Sequence, residues 1–216
     1  MRNVIRTLMV VTIVTFCGFT WNHYESLAQD NLPQRPDFEF SSNKQFLTNV
    51  KECVEYVYFY NDVKEVNLEL LLAQAALESG WGTSRFAKEG NNLFGIRTYN
   101  LKEPHMLPSN NPKKWGVKVY MHECDSVLNY INVLNNGSAF KEYRKMREEG
   151  ITDPFLLTET LDAYASDKNY FSKVKSILQK IKKDYYSGLV FHRRTSNIVC
   201  WCCCTYYING ISIRSW

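Results

Sequence analysis

Apolar residues recur at helical spacing over residues 42–61, where Phe46, Val50, Cys53, Val54, Val57 and Tyr58 share a face. This predicts a first helix from Ser42 to about Asn61. A denser apolar run follows. Leu68 to Leu77 are nearly all strong helix formers, Asn67 can cap them, and Gly80 and Gly82 stop them. The second helix therefore spans 67–79 and ends on one acid, Glu78. Over residues 91–121 the helical period is lost. Asn, Gly, Pro and Lys dominate, and Trp115 to Met121 alternates as a strand does, which predicts a small β lobe of one hairpin or an irregular sheet. Helical spacing returns at Asp125 and runs through Val127, Leu128, Tyr130, Ile131 and Leu134 to Asn135-Asn136-Gly137. Phe140 to Glu149 reads as a charged helix ending at Gly150. Asp153-Pro154 pairs a capping acid with a proline suited to the first helical position, predicting a helix to about Tyr164. Val174, Ile177, Leu178 and Ile181 mark a last helix from Tyr170 to Tyr186. The class is α+β, mainly α, with one β excursion just after the helix that carries the acid. No internal repeat is visible.

The chain ends differ from this pattern. Arg2 and Arg6 precede a mostly apolar run from Leu8 to Trp21, and Ser26-Leu27-Ala28 supplies small residues of the kind a signal peptidase reads. The run is short of the about twenty residues a membrane span needs. Residues 1–28 are expected to be a signal peptide, with an uncleaved anchor as the alternative and membrane contact only in that case. Residues 29–41, with two prolines and no period, read as a linker; 42–187 form the domain. Residues 188–216 are an atypical Cys-rich tail: an added β segment, a disordered extension, or sequence not selected for folding. Cys200, Cys202, Cys203 and Cys204 are too close together for all to face one ion, so no metal is expected there.

With 216 residues the chain is long enough for one sizeable core. The net charge of +4 becomes +3 if Arg2, Arg6 and Glu25 leave with the signal. A mildly basic chain suits a polyanionic partner and is too weakly charged to imply nucleic acid. Cys53 and Cys124 stand alone in the domain, either paired in an oxidising compartment or buried as thiols.

The candidate chemistry centres on Glu78. Leu71, Gln74, Ala75 and Glu78 are spaced i, i+3, i+4 and i+7, so Glu78 continues a mostly apolar stripe, with Trp81 within one turn. Burial disfavours the charged carboxylate and raises its pKa, and a carboxyl still protonated near neutral pH can protonate a leaving oxygen. The plainer alternative is a solvated acid at a helix C-terminus, a placement the helix dipole mildly opposes.

The segment AQAALESGWGTSRFAKEGNNLFGI, residues 73–96, closely resembles the core of the bacterial glucosaminidases of glycoside hydrolase family 73, Bax-type proteins nearest. Tyr164-Ala-Ser-Asp-Lys-Asn-Tyr170 resembles that family's YATDxxY motif, with Ser166 in place of Thr. Two motifs in the same order are more specific than either alone, and the resemblance covers roughly residues 42–186. It implies a lysozyme-like fold and endo-β-N-acetylglucosaminidase activity on peptidoglycan glycan strands, with no metal or organic cofactor. It also implies that Glu78 is the catalytic acid, that NNLFGI forms the cleft loop, and that Tyr164 lines the cleft near the reacting sugar.

Glycosidic hydrolysis usually needs a second carboxylate. The resemblance places it on the β lobe, where Glu103, before Pro104, is preferred over Glu123, which reads as a helix-start charge. Attack by the substrate's own 2-acetamido group would need neither. Trp81, Phe94, Tyr99 and Tyr170 are candidate sugar contacts, though buried Phe and Tyr more often pack a core. Asn91 and Asn92 bond backbone or substrate around a tight turn; Asn92 is kept as a substrate contact. Arg85 and Arg97 either meet acidic peptide stems or are simply solvated. Asp167 caps the last helix, and His105 and His122 receive no role. The protein is expected to act as a monomer in the periplasm or, secreted, at the cell wall. The alternatives are a lytic transglycosylase on the same fold and a non-catalytic wall-binding module.

Overall fold

The computed structural model describes residues 32–109, 114–161 and 169–185, and the backbone of 205–208 and 211–214. Helix α1 (Asn43–Tyr60) is capped by Ser42, whose hydroxyl accepts from the Gln45 amide. Helix α2 (Leu68–Glu78) is capped by Asn67, whose side chain accepts from the Leu70 amide. From Leu70 to Ala76 every residue of α2 is buried, which is the signature of a central helix rather than a surface one. It packs against α1, against α6 (Pro154–Thr158) and against α7 (Tyr170–Lys180), which continues as a π-turn over Ile181–Tyr185.

Helix α4 (Glu123–Asn136) lies along α1, and a Cys53–Cys124 disulfide joins the two. Of the two states open to these cysteines, the structure adopts the paired one. Beyond α4, a 3-10 turn (Ser138–Phe140) leads into α5 (Lys141–Glu148). Apolar residues of α1, α2, α4 and α7, among them Val50, Leu71, Ile131 and Val174, form one core.

Several boundaries differ from expectation. Helix α3 (Arg85–Gly90) was not anticipated: six residues with Phe86 as their one large apolar side chain carry no apolar stripe, yet Ser84 caps them and left-handed Asn91 ends them. Helix α4 starts two residues early because His122 caps it, in a capping box with Asp125. Helix α6 stops at Thr158, where the Thr158 hydroxyl bonds back to the Pro154 carbonyl and the chain turns. The β lobe is a three-stranded antiparallel sheet in the order β1 (Arg97–Thr98), β3 (Gly116–Lys118), β2 (His105–Met106). Arg97 pairs with Val117, and His105 with Lys118. Past β3 the backbone keeps bonding, with the Val119 amide donating to Pro104 and the Tyr120 amide to Gly90.

Residues 35–40 have no regular structure and form a strap packed against the domain. Arg35 pairs with Asp125, His122 meets the Pro36 carbonyl, and Asn49 donates to the carbonyls of Asp37 and Glu39. Phe38 and Phe40 pack edge-on against Phe46. In the tail, β4 (Thr205–Ile208) and β5 (Ile211–Arg214) pair antiparallel, and the cysteines at 200–204 lie outside the described residues. So do the expected signal segment, Tyr164 and Asp167. Among the described residues no helix is long and apolar enough to cross a membrane.

Candidate active site

Glu78 is the last residue of α2, and the turn after it is over-determined. The Ser79 hydroxyl donates to the Ala75 carbonyl at 2.5 Å and accepts from the Gly82 amide at 2.7 Å. Gly80, Trp81 and Gly82 are all left-handed, with φ of 57°, 59° and 75°. A Cβ on Gly82 would lie 2.5 Å from Phe40 Cζ and 2.9 Å from the Phe46 ring, so that glycine is needed for space as well as for its φ.

The 91–96 loop comes back over the acid. Asn92 is buried and scaffolds this loop: its amide donates to the carbonyls of Ile96 and Lys118, and its oxygen accepts from the amides of Phe94 and Ile96. Gly95, left-handed at φ 64°, stands beside Glu78; a Cβ there would be 3.8 Å from Oε2. Behind the carboxyl, the Tyr170 hydroxyl hydrogen-bonds to it. Burial pushes the Glu78 pKa up, and the Tyr170 hydrogen bond partly opposes that rise. Burial likewise pushes the Tyr170 phenol well up, so it stays a neutral donor.

Glu103 has the opposite environment. It closes a turn from Asn100, accepts from the Thr98 hydroxyl at 3.1 Å and from the Asn100 amide at 3.3 Å, and lies 3.7 Å from Lys118 Nζ. These contacts hold its pKa below the ordinary carboxylate value, Thr98 contributing most. Rather than swinging on a loose loop, it is tethered to the β lobe. Glu123, at the start of α4, is raised by burial and sits 3.7 Å from His122 Nδ1.

Three expected substrate contacts are buried instead. Phe94 is 1% exposed and stacks on Tyr130 at 4.1 Å, so it belongs to the core. Asn92, 1% exposed, spends its amide on backbone, which is the other half of the expectation for it. Tyr170 is buried beneath Glu78 rather than lining an open cleft. Trp81 is half-buried, edge-on to Phe46 with the Lys180 ammonium over its ring. Tyr99 is 73% exposed on the β lobe. Arg85 donates to the Leu107 carbonyl, and Arg97 lies over the Trp115 ring at 4.0 Å. Cys53, Cys124 and His122 bring three ligand-type atoms within 4.8 Å, but the two sulfurs bond each other and offer no thiolate to an ion.

Gln74 is a further polar group at the site. It is fully buried one turn before Glu78 on the same face, and its amide donates to the Tyr170 hydroxyl at 2.6 Å. The available signal was an uncharged polar residue in an otherwise apolar stripe.

Residues 55–183 match the profile of the glucosaminidase family described as mannosyl-glycoprotein endo-beta-N-acetylglucosaminidase. The chain belongs to this family. The match covers α2, the turn, the loop and the β lobe. Among curated relatives, the exo-glucosaminidase LytG of Bacillus subtilis is 28% identical over 127 residues, covering 54% of this chain and 45% of that protein. The peptidoglycan hydrolase FlgJ of Vibrio parahaemolyticus is 29% identical over 158 residues, covering 67% and 49%. The chain thus spans about half the length of these relatives. In fold it is similar to a peptidoglycan hydrolase from Sphingomonas sp. A1, with a TM-score of 0.51 at 21% identity over 69% of this chain and 97% of that one. The lysozyme-like, mainly helical architecture is therefore the observed one.

Proposed function

We propose that this glucosaminidase hydrolyses peptidoglycan, cutting the β-1,4 bond after N-acetylglucosamine, with Glu78 as general acid. The observation that carries the reading is the buried carboxyl at the end of α2, with its pKa raised by burial and the neutral Tyr170 hydroxyl bonded to it. Family membership supports the bond type, and the relative named a peptidoglycan hydrolase supports the substrate. Two carboxylates whose environments push their pKa values apart divide naturally into acid and base. Glu103, held ionised, takes the base role and activates water, and Tyr164 lines the site as the family motif implies. Tyr99 offers an exposed ring to a sugar face, and half-buried Trp81, in the turn after Glu78, offers another. The protein acts on the wall, outside the cytoplasm, and the Cys53–Cys124 disulfide fits an oxidising compartment.

The test is digestion of purified peptidoglycan by the parent and by Glu78→Gln, with borohydride-reduced products read by mass spectrometry. Reduced N-acetylglucosamine ends from the parent alone support the reading. Anhydro-muramic ends would make the protein a transglycosylase, and binding without new ends would make it a wall-binding module.

A further inference from the structure

Four polar side chains stand in line through an otherwise apolar interior. The Tyr130 hydroxyl of α4 donates to Gln74 Oε1 of α2. Gln74 Nε2 donates to the Tyr170 hydroxyl of α7 at 2.6 Å, and Tyr170 hydrogen-bonds to Glu78. Gln74 and Tyr130 are 0% exposed and Tyr170 is 4% exposed. Burying an amide and two phenols costs free energy that an apolar core would not, unless each is satisfied, and here each has its partner.

The line has a direction. A phenol carries one proton. Because the Tyr170 oxygen accepts from Gln74, its proton is left to point at Glu78. Gln74 presents its N–H to Tyr170 only because its carbonyl end is held by the Tyr130 proton. The two ends of an amide have nearly the same shape. Without the Tyr130 hydroxyl the amide can turn over, offer its carbonyl to Tyr170, and draw that proton away from Glu78.

We propose that Gln74 and Tyr130 are positioning residues, which fix the Tyr170 hydroxyl as a donor to Glu78 and so hold the acid's carboxyl in one orientation. Its relevance to turnover rests on the reading of Glu78 as the acid. Among the described residues, Tyr170 is the titratable group that acts on Glu78. The loop opposite presents Gly95, and Lys180 on α7 lies over the Trp81 ring. Phe94 stacks on Tyr130, so the same line also touches the loop that faces the acid.

The test is the Glu78 titration, followed by carbon-13 NMR of labelled glutamate carboxyls in the full chain, for the parent, Tyr170→Phe, Tyr130→Phe and Gln74→Met. Losing a donor to the ionised form raises a carboxyl pKa. Tyr130→Phe should therefore move the Glu78 titration upward, in the same direction as Tyr170→Phe, by up to about one pH unit, and Gln74→Met, which offers Tyr170 no carbonyl, should move it less. The alkaline limb of kcat/KM should move with it. Tyr130→Phe removes one oxygen and keeps the ring's stack on Phe94, and Gln74→Met keeps the side-chain length. If Tyr170→Phe moves the titration and Tyr130→Phe leaves it in place, Gln74 and Tyr130 only fill space and the proposal is wrong. If Tyr170→Phe and Tyr130→Phe both move it but Glu78→Gln still digests peptidoglycan, the proposed function fails while the line of hydrogen bonds stands.

Discussion

Gly82→Ala should be among the most damaging single changes near the site. Two costs add. An alanine at φ 75° sits in the left-handed region, at about 1–2 kcal/mol. Its Cβ would also lie 2.5 Å from Phe40 Cζ and 2.9 Å from the Phe46 ring, an overpacking that costs about 1–3 kcal/mol. The sum is about 2–5 kcal/mol. Gly80→Ala is the control: its φ of 57° carries the same backbone cost, but the nearest atom to its Cβ, Thr83 Oγ1, is 3.4 Å away. Urea unfolding of the two variants at constant m-value separates the terms. Gly82→Ala should exceed Gly80→Ala by about 1–3 kcal/mol. In a Phe40→Leu background the excess should shrink without vanishing, because Phe46 is fully buried and cannot retreat. Equal losses at the two glycines would refute the packing argument.

Three further outcomes are expected. Glu78 has a raised pKa in the fold, so its contribution to stability is complete below the pKa of an unfolded glutamate and is lost as pH rises through the folded value. Glu78→Gln should therefore gain on the parent in urea unfolding as pH rises from acid to neutral, while losing activity; a difference flat across pH would count against a raised pKa. Replacing both Cys53 and Cys124 by Ala should cost about 4 kcal/mol, since the bridge closes a loop of 71 residues; a loss under about 1 kcal/mol would contradict that. Tyr99→Ala should leave stability within about 0.5 kcal/mol and raise KM for glycan fragments, whereas Phe94→Ala should cost about 3–5 kcal/mol of stability. An unchanged KM for Tyr99→Ala would remove that ring from the site.

The long helices were legible because each carries its own signal. Ser42 and Asn67 cap α1 and α2 as expected, and the apolar spacing of α1, α4 and α7 matches their buried faces. Glu78 was legible for the same reason: an acid at the end of an apolar stripe has few places to go. What escaped was decided by residues distant in sequence. Strands of two or three residues are too short to show a period. Phe94 lies in a Gly/Asn loop, where a core ring and a sugar-binding ring look alike until Tyr130 is seen stacked on it. Gln74 meets Tyr130 and Tyr170 across 56 and 96 residues of chain, a pairing no local pattern reveals.

The strap at residues 35–40 gives the site an order of loss. It crosses α1 with no helix or sheet of its own, held by side-chain contacts, two backbone carbonyls given to Asn49, and the Phe40 ring lodged against the turn that follows Glu78. Such a segment can open at far lower free energy than the disulfide-joined helices beneath it. When it opens, the wedge behind Gly82 goes with it, while α2 and its buried acid stay in place. The turn after Glu78 is thus the part of the candidate site most exposed to partial unfolding, and hydrogen exchange at the amides of residues 80–84 would report the strap's departure before any helix frays.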